Sequence, residues 1–289
     1  MVDRRRPLAF VGASLALALG IACTTFSAAE ATDPPGADAG ESGAITPGDA
    51  EVDGAVTPLE GGIPEGSIAV DEFLIDAYEA TNAEYEAFVA SFNMKQVLKT
   101  RRAACAAKLA PGRGVGCSHD LRPDAPATCV DWCDADLYCA HRGQRLCGER
   151  GAASGILATL TDRSHSQWTR ACAGADGTQR YPYGPLGDPA KCNTLERKPD
   201  GGATVVPVGS LPSCVGSAPG LYDMSGNVLE WEDACDGDQA GIGVAGARCY
   251  ARGGSYLNPI ASANCDYVSK ELVRSDARPN VGFRCCSLR

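Results

Sequence analysis

Histidine and the short catalytic motifs are what this 289-residue sequence has least of. Its three histidines, His119, His141 and His165, are scattered and follow neither the HxxxH nor the HxE spacing. No G-x-S-x-G nucleophile motif or phosphate-binding P-loop occurs in the chain, and the G-x-G-x-x-G spacing at Gly241–Gly246 is followed by the predicted strand "CYARGGSY" rather than by the helix of a dinucleotide-binding fingerprint. The sequence therefore gives no support to the hydrolase, nucleotide-dependent or dinucleotide-dependent classes of enzyme.

Lysine and arginine are missing from residues 24–60, a stretch rich in Ala, Gly, Pro and acidic residues. Such a composition cannot bury enough apolar surface to offset chain entropy, so we expect a disordered acidic tether. Most of the formal net charge of −10 belongs to this tether, which leaves the rest of the chain only mildly acidic. The charge distribution predicts no binding to nucleic acid.

The apolar run Leu8–Ala22 is too short for a stable membrane span. It follows Arg4–Arg6, as in a signal peptide, and ends at "LGIAC", which resembles the lipobox of bacterial lipoproteins. We therefore expect a signal peptide over residues 1–22, a lipid anchor to the membrane on Cys23, and export, with Thr24 favouring the outer membrane. An ordinary signal peptide cleaved nearby, with Cys23 incidental, is the alternative.

Cysteine, by contrast, is abundant, with 15 residues. Acylation of Cys23 would leave an even number, which predicts a set of disulfides formed in an oxidising compartment. Four of the cysteines could instead form a zinc cluster: Cys129, Cys133, Cys139 and Cys147. Because no tight CxxC pair occurs and histidine is scarce, disulfides are the preferred interpretation.

Residues 61–289 are enough for one large domain. Helical spacing of apolar residues occurs after a Thr81–Asn82 cap, from Asp131 to Gly143, and in "SQWTRACAG", which begins near Ser164 or Ser166. Short strands are predicted at "SIAVDEFLID", "TVVPVGS", "CYARGGSY" and "VGFRCC". Long Gly- and Pro-bearing segments separate these elements, so the predicted class is α+β with much irregular, disulfide-held backbone.

Seven segments occur in an order typical of a known family. They are "YEATNAEYEAFV", "APATCVDWCDADLYCAHRGQRL", "SQWTRACAG" with "YPYG", "PVGSLPS", "GLYDMSGNVLEW", "RGGSY" and "VGFRC". In this order they resemble the formylglycine-generating enzyme family, also called the sulfatase-modifying factors, over nearly all of residues 67–286. The resemblance implies a compact fold related to C-type lectins, with small sheets, a few helices and much loop.

The resemblance implies a calcium site in "GLYDMSGNVLEW". Asp223 and Glu230 would supply carboxylate oxygens, and Gly226 and Val228 would supply backbone carbonyls. Calcium prefers six to eight oxygen ligands, and two acids flanking exposed carbonyls provide part of that shell. The alternative is an Asx-type turn followed by a strand that places Trp231 in the core.

A second calcium site of the family falls on "KCNTLERKPDGG". Asn193 and Asp200 would give side-chain oxygens, whereas Thr194 and Gly202 would give backbone oxygens. A solvated polar loop is the alternative interpretation of the same residues.

The sequence departs from the active oxidases of the family just after "RGGSY". Those enzymes bind copper(I) between two Cys thiolates, since soft thiolates select Cu(I). Here the two positions hold Asn258 and Ala263, although Ser255 is retained, and Leu229 replaces a tryptophan usual in the family. Cys265 is either a displaced second ligand or, as its spacing to "GFRC" favours, a structural disulfide partner. Neither a copper or iron cofactor nor formylglycine generation is therefore expected.

These observations favour a non-catalytic member of the family, held at a bacterial envelope and stabilised by calcium, that binds a protein or glycan. The alternative is a metal-dependent oxidoreductase of altered chemistry, acting on a peptide or small thiol, with Cys265 among its metal ligands. The redox state of Cys265 distinguishes the two. A purely structural envelope protein is a third possibility, which the sequence does not separate from the first.

Overall fold

The computed structural model describes residues 66–93, 95, 102–151, 162–174, 176–197, 203–236 and 246–289. The predictions for the signal peptide, for Cys23 and for the tether fall outside the described residues, as do Asp200 and Gly202. Among the residues that are described, no helix combines the length and apolar character needed to cross a bilayer.

The described α-helices begin at side-chain caps, as the sequence predicts. They are α1 (Asn82–Ala90), α2 (Trp132–His141) and α3 (Gln167–Ala173). Thr81 and Glu84 form a reciprocal capping box at α1, and Asp131 caps α2 in the same way. At α3 the cap is Ser166 rather than Ser164, because its hydroxyl accepts a first-turn backbone N–H at 3.0 Å.

The strands form two four-stranded sheets. They are β1 (Ser67–Val70), β2 (Phe73–Asp76), β3 (Arg145–Leu146), β4 (Leu229–Cys235), β5 (Cys249–Arg252), β6 (Val268–Ser269), β7 (Val281–Gly282) and β8 (Cys285–Leu288). The first sheet has the order β1-β2-β8-β3 and is antiparallel throughout. The second has the order β6-β5-β4-β7, in which only the β4–β7 pair is parallel.

Two of the predicted strands differ from the observed ones in an informative way. "VGFRCC" is divided between the sheets, so that Phe283 and Arg284 lie where the chain crosses from one to the other. "TVVPVGS" forms no strand in the described structure, because its backbone donors find other acceptors. Val206 donates to the Asn227 side chain at 3.0 Å, and Val208 donates to the Asp124 carbonyl at 3.0 Å.

Disulfides fasten the elements together, and this prediction is confirmed. The pairs are Cys105–Cys133, Cys117–Cys129, Cys139–Cys285, Cys147–Cys286, Cys172–Cys265, Cys192–Cys214 and Cys235–Cys249. The four cysteines considered for zinc each have a different partner, so they do not form a cluster. The adjacent cysteines of β8 tie that strand to α2 and to the segment after β3.

The core is aromatic at its centre, with all three tryptophans buried. Trp132 and Trp231 belong to the larger cluster, which gathers α1, α2 and β4. Trp168 belongs to a second cluster built on α3 and β2. Short elements, long irregular segments and many disulfides confirm the predicted α+β class.

Candidate functional site

The "GLYDMSGNVLEW" segment is a buried loop that leads directly into β4. Asp223, Gly226 and Asn227 have positive φ values of 58°, 78° and 54°. This left-handed backbone is costly for residues with a side chain, so the surrounding structure must hold it in place. Val228 ends the loop, and Trp231 of β4 is buried with its indole nitrogen 3.2 Å from the Val130 carbonyl oxygen. The strand of the alternative interpretation is therefore present beside the turn.

The two segments that the resemblance assigned to separate calcium sites lie in contact. The N–H of Asn227 donates to the carbonyl oxygen of Asn193 at 2.8 Å. A Cβ atom at Gly226 would stand 2.4 Å from that oxygen and 3.2 Å from the Thr194 methyl group. Only glycine therefore permits this approach of the two backbones.

Asn227, which the sequence reasoning did not single out, connects this contact to two further segments. Its side-chain oxygen accepts hydrogen bonds from the Asn193 amide at 3.1 Å and from the Val206 N–H at 3.0 Å. Its side-chain nitrogen donates to Oε1 of Glu79 at 3.1 Å. A fully buried amide that uses both ends in this way fixes the relative positions of its partners.

Three buried carboxyl groups, those of Glu79, Asp223 and Glu230, lie near this loop together with one buried guanidinium, that of Arg284. Glu230 is held by Arg284, whose Nε lies 2.7 Å from Oε2 and whose Nη2 lies 2.8 Å from Oε1. The indole of Trp168 also donates to Oε2, at 2.7 Å. Both oxygens of Glu230 are therefore committed to protein donors, while Glu79 and Asp223 add two more acids.

Glu79 and Asp223 each leave one buried oxygen without a hydrogen bond in the described structure. These atoms are Oε2 of Glu79 and Oδ1 of Asp223, whose other oxygen accepts the Gly209 N–H at 2.6 Å. Burial raises the pKa of Asp223 to about 6, against the opposing effect of the Gly209 N–H. Burial, and then the charge of Asp223, raises the pKa of Glu79 well above its usual value. The pair has the electrostatic character of a site for a proton or a cation.

The residues present fit a calcium ion in part. Asp223 offers a free carboxylate oxygen, as a calcium ligand must, whereas the contacts of Glu230 with Arg284 do not favour it as a ligand. Asn193 is engaged with Asn227 and with the carbonyl of Thr204. Within the described ranges, no group of three or more His, Cys, Asp or Glu side chains is arranged to hold a metal.

The positions of the two copper cysteines carry a closed polar turn and an apolar residue. Ser255 donates to Oδ1 of Asn258 through its hydroxyl at 2.7 Å and through its N–H at 3.0 Å. The Asn280 side chain donates in turn to the Ser255 hydroxyl at 3.2 Å. Ala263 is completely buried. The residues at these positions do not fit a two-thiolate copper site, because neither has a sulfur.

Cys265 is joined to Cys172 of α3 by a disulfide. Its N–H also donates to the Arg180 carbonyl at 2.9 Å, so its position is fixed by backbone as well as by sulfur. This pairing agrees with the structural interpretation of Cys265. It is at odds with the redox alternative, because a disulfide sulfur is not the thiolate that binds a soft metal.

Comparisons with known proteins agree with the order of the motifs. The model of the sulfatase-modifying factor enzyme 1-like domain matches residues 28–288. The formylglycine-generating enzyme of Bos taurus is 27% identical, over 79% of this chain and 69% of its own length. The inactive C-alpha-formylglycine-generating enzyme 2 of Bos taurus is 30% identical, over 61% of this chain and 54% of its own. The structure of PvdO from Pseudomonas aeruginosa is 23% identical, with a TM-score of 0.47, covering 75% of this chain and 80% of that one.

Proposed function

Because the chain belongs to the sulfatase-modifying factor enzyme 1-like family, we propose that it is a non-catalytic member that binds a protein or glycan ligand at a bacterial envelope. It uses the family scaffold for recognition and does not convert cysteine to formylglycine. Fold alone does not decide function, so the proposal depends on the residues at the reaction site.

The replacement of both copper cysteines is the observation that carries this proposal. Asn258 and Ala263 supply no thiolate, and the Asn258 side chain is already committed to Ser255. The nearby sulfur of Cys265 is used by Cys172. The alternative of an oxidoreductase with Cys265 as a ligand therefore loses the residue on which it was built. The relative whose name marks it as inactive provides a precedent for a family member without the activity.

Calcium has a structural role in this proposal. A cation beside Asp223 would neutralise the excess negative charge that Glu79 and Asp223 bring into the interior. It would also hold the left-handed loop that contacts Asn193. The bound ion supplies charge and oxygen coordination only, with no part in a reaction. Glu230 contributes through Arg284, which orients the start of β4.

Export and anchoring complete the proposal. Seven disulfides are typical of a protein that folds in an oxidising compartment. Acylation of Cys23 would hold the domain at the membrane, with the acidic stretch as a spacer, and the outer membrane is the favoured location. Cys23→Ser should release the protein from the membrane fraction into the soluble one, whereas the matched Ser27→Ala change should leave it bound.

The proposed lack of catalysis is tested with the full chain, copper(I), oxygen and a cysteine-containing peptide. Mass spectrometry of the peptide should show no formylglycine, while an active family enzyme converts it under the same conditions. Copper-dependent conversion by the wild-type chain would contradict the proposal. Calcium content, measured on the same preparation, reports separately on the structural role of the ion.

A further inference from the structure

A surface cavity of about 340 Å³ lies beside α3, and none of its lining residues is a candidate named above. Its lining comes from the segment before α3, from α3 itself, from the end of β5 and from the residues in and around β6. The lining residues with polar or aromatic side chains are Arg163, Thr169, Arg252, Asp266, Tyr267 and Lys270. The volume lies at the small end of the range for small-molecule sites.

Among the charged residues that line this cavity, the two arginines are paired with carboxylates and, in the described structure, one lysine is not. Arg163 is paired with Asp266, with Nε 2.7 Å from Oδ1. Arg252 is fully buried and donates to Glu232, so this second ion pair is also neutral as a whole. Lys270 is exposed and forms no ion pair within the part of the chain that the structure describes. The cavity therefore favours a ligand with one negative charge.

A buried hydroxyl in the cavity also lacks a partner. Thr169 is only 2% exposed, and its Oγ1 makes no hydrogen bond to any described residue. Burying a hydroxyl without a hydrogen bond is unfavourable, so a ligand group that bonds to Oγ1 gains from satisfying it. Thr169 thus provides a polar contact point in the cavity, in addition to the charge at Lys270.

We propose that this cavity binds a small acidic sugar of the hexuronate class. The sugar's carboxylate would pair with Lys270, and a ring hydroxyl would bond to Thr169. Both oxygens of Asp266 accept from Arg163, but each keeps a further lone pair that could accept from a sugar hydroxyl, and the half-buried ring of Tyr267 could face the C–H side of a pyranose. This inference rests on the proposed binding function and gives it a ligand class.

The inference is tested by ligand-observed NMR titration of the full chain with D-glucuronate, D-glucose and acetate at low salt. Glucuronate should bind about tenfold more tightly than glucose or acetate, because only it combines the charge with the hydroxyls. Lys270→Gln should reduce glucuronate binding about tenfold and leave glucose unchanged. Thr169→Val, which keeps the shape of the side chain, should weaken the binding of both glucuronate and glucose.

The matched control is Lys191→Gln. Lys270 lies 6.0 Å from the centroid of the Tyr250 ring, and Lys191 similarly lies 4.7 Å from that of Tyr183, but Lys191 does not line the cavity. The Lys191→Gln substitution should leave glucuronate binding unchanged. No binding of glucuronate to the wild type, or equal effects of the two lysine substitutions, would overturn the assignment, and equal binding of acetate would overturn its sugar part. Peptide conversion and calcium content do not depend on this cavity, so they report separately on the proposed function.

Discussion

The loop before β4 and the segment after β5 are both parts of the family's motif order, but their interiors differ sharply. Around the loop are three buried acids, Glu79, Asp223 and Glu230, and the buried guanidinium of Arg284 hydrogen-bonds Glu230 and acts on the other two through its charge. In the segment after β5, the reaction positions hold a neutral amide, Asn258, and a methyl group, Ala263. The chain thus has the buried polar network around the loop before β4, but it lacks the thiol pair in the segment after β5.

This difference separates what the fold needs from what the reaction needs. Arg284 binds Glu230 and also donates to the carbonyls of Asp76 and Tyr222, so it links β2, β4 and the crossover before β8. Removing such a group would disturb the whole domain. The Asn258 side chain, by contrast, accepts its two hydrogen bonds from Ser255, only three residues away. A binding protein can therefore lose the copper site and keep the fold.

Arg284→Met is expected to have the largest effect. It leaves Glu230 buried and unpaired beside two other acids, and breaking a buried ion pair in this way costs about 3–5 kcal/mol. Urea unfolding followed by circular dichroism measures the loss. The matched change Arg278→Met removes an exposed ion pair with Asp276 and should cost less than about 1 kcal/mol. Equal effects of the two would show that the buried network is not what holds the scaffold.

The acidity of Asp223 gives the second effect. Its pKa of about 6 in the folded protein lies above that of an aspartate in the unfolded chain. The protonated carboxyl group therefore contributes to the free energy of unfolding at low pH, and this contribution is lost as the pH rises through about 6. In calcium-free buffer that contains a chelator, the free energy of unfolding of the wild type should fall between about pH 4 and about pH 7.5. This fall should be about 2 kcal/mol larger than that of the Asp223→Asn variant. Calcium should reduce this fall. Parallel pH profiles of the two proteins would contradict the raised pKa.

Gly226→Ala tests the contact between the two loop segments. The new Cβ would stand 2.4 Å from the Asn193 carbonyl oxygen, at a φ of 78°. Gly116 has nearly the same φ, 76°, but faces open space, so Gly116→Ala isolates the backbone term of about 1–2 kcal/mol. Thermal unfolding should show a clearly larger loss of stability for Gly226→Ala than for Gly116→Ala. Equal losses would mean that the close approach has no energetic weight.

Asn258→Ala should have the smallest effect. It removes an acceptor of two hydrogen bonds from the buried Ser255, but Asn258 itself is only half-buried, so water can take its place and we expect a loss of about 1 kcal/mol. Chemical denaturation provides the value. A loss as large as that of Arg284→Met would erase the distinction between the two regions.

The sequence predicted the parts of the fold that local chemistry determines. The helix starts followed from the caps at Thr81 and Asp131, which act over three residues. The presence of a disulfide framework followed from the abundance of cysteine. "TVVPVGS" was a wrong strand prediction, because its N–H groups bond to Asn227 and Asp124 rather than to a neighbouring strand. Periodicity gives no information about such partners.

The candidate site was only partly visible in the sequence, for a similar reason. Asp223, Gly226 and Asn193 were named from the motifs, and the structure brings their segments together. The roles of Glu79 and Arg284 depend on contacts between distant parts of the chain. Asn227 and Glu79, for instance, are separated by 148 residues. The isolated arginine of "GFRC", between a buried phenylalanine and a cysteine, was the one local signal that a buried charge required partners.

The central claim, that the chain keeps the family scaffold without its copper chemistry, is tested most directly by the metal content of the purified full chain. Inductively coupled plasma mass spectrometry after dialysis against a mild chelator should find at least about one equivalent of calcium and no stoichiometric copper or iron. Asp223→Asn should lower the calcium content. Stoichiometric copper or iron that survives dialysis would contradict the account, and Cys265 would then be the first residue to substitute.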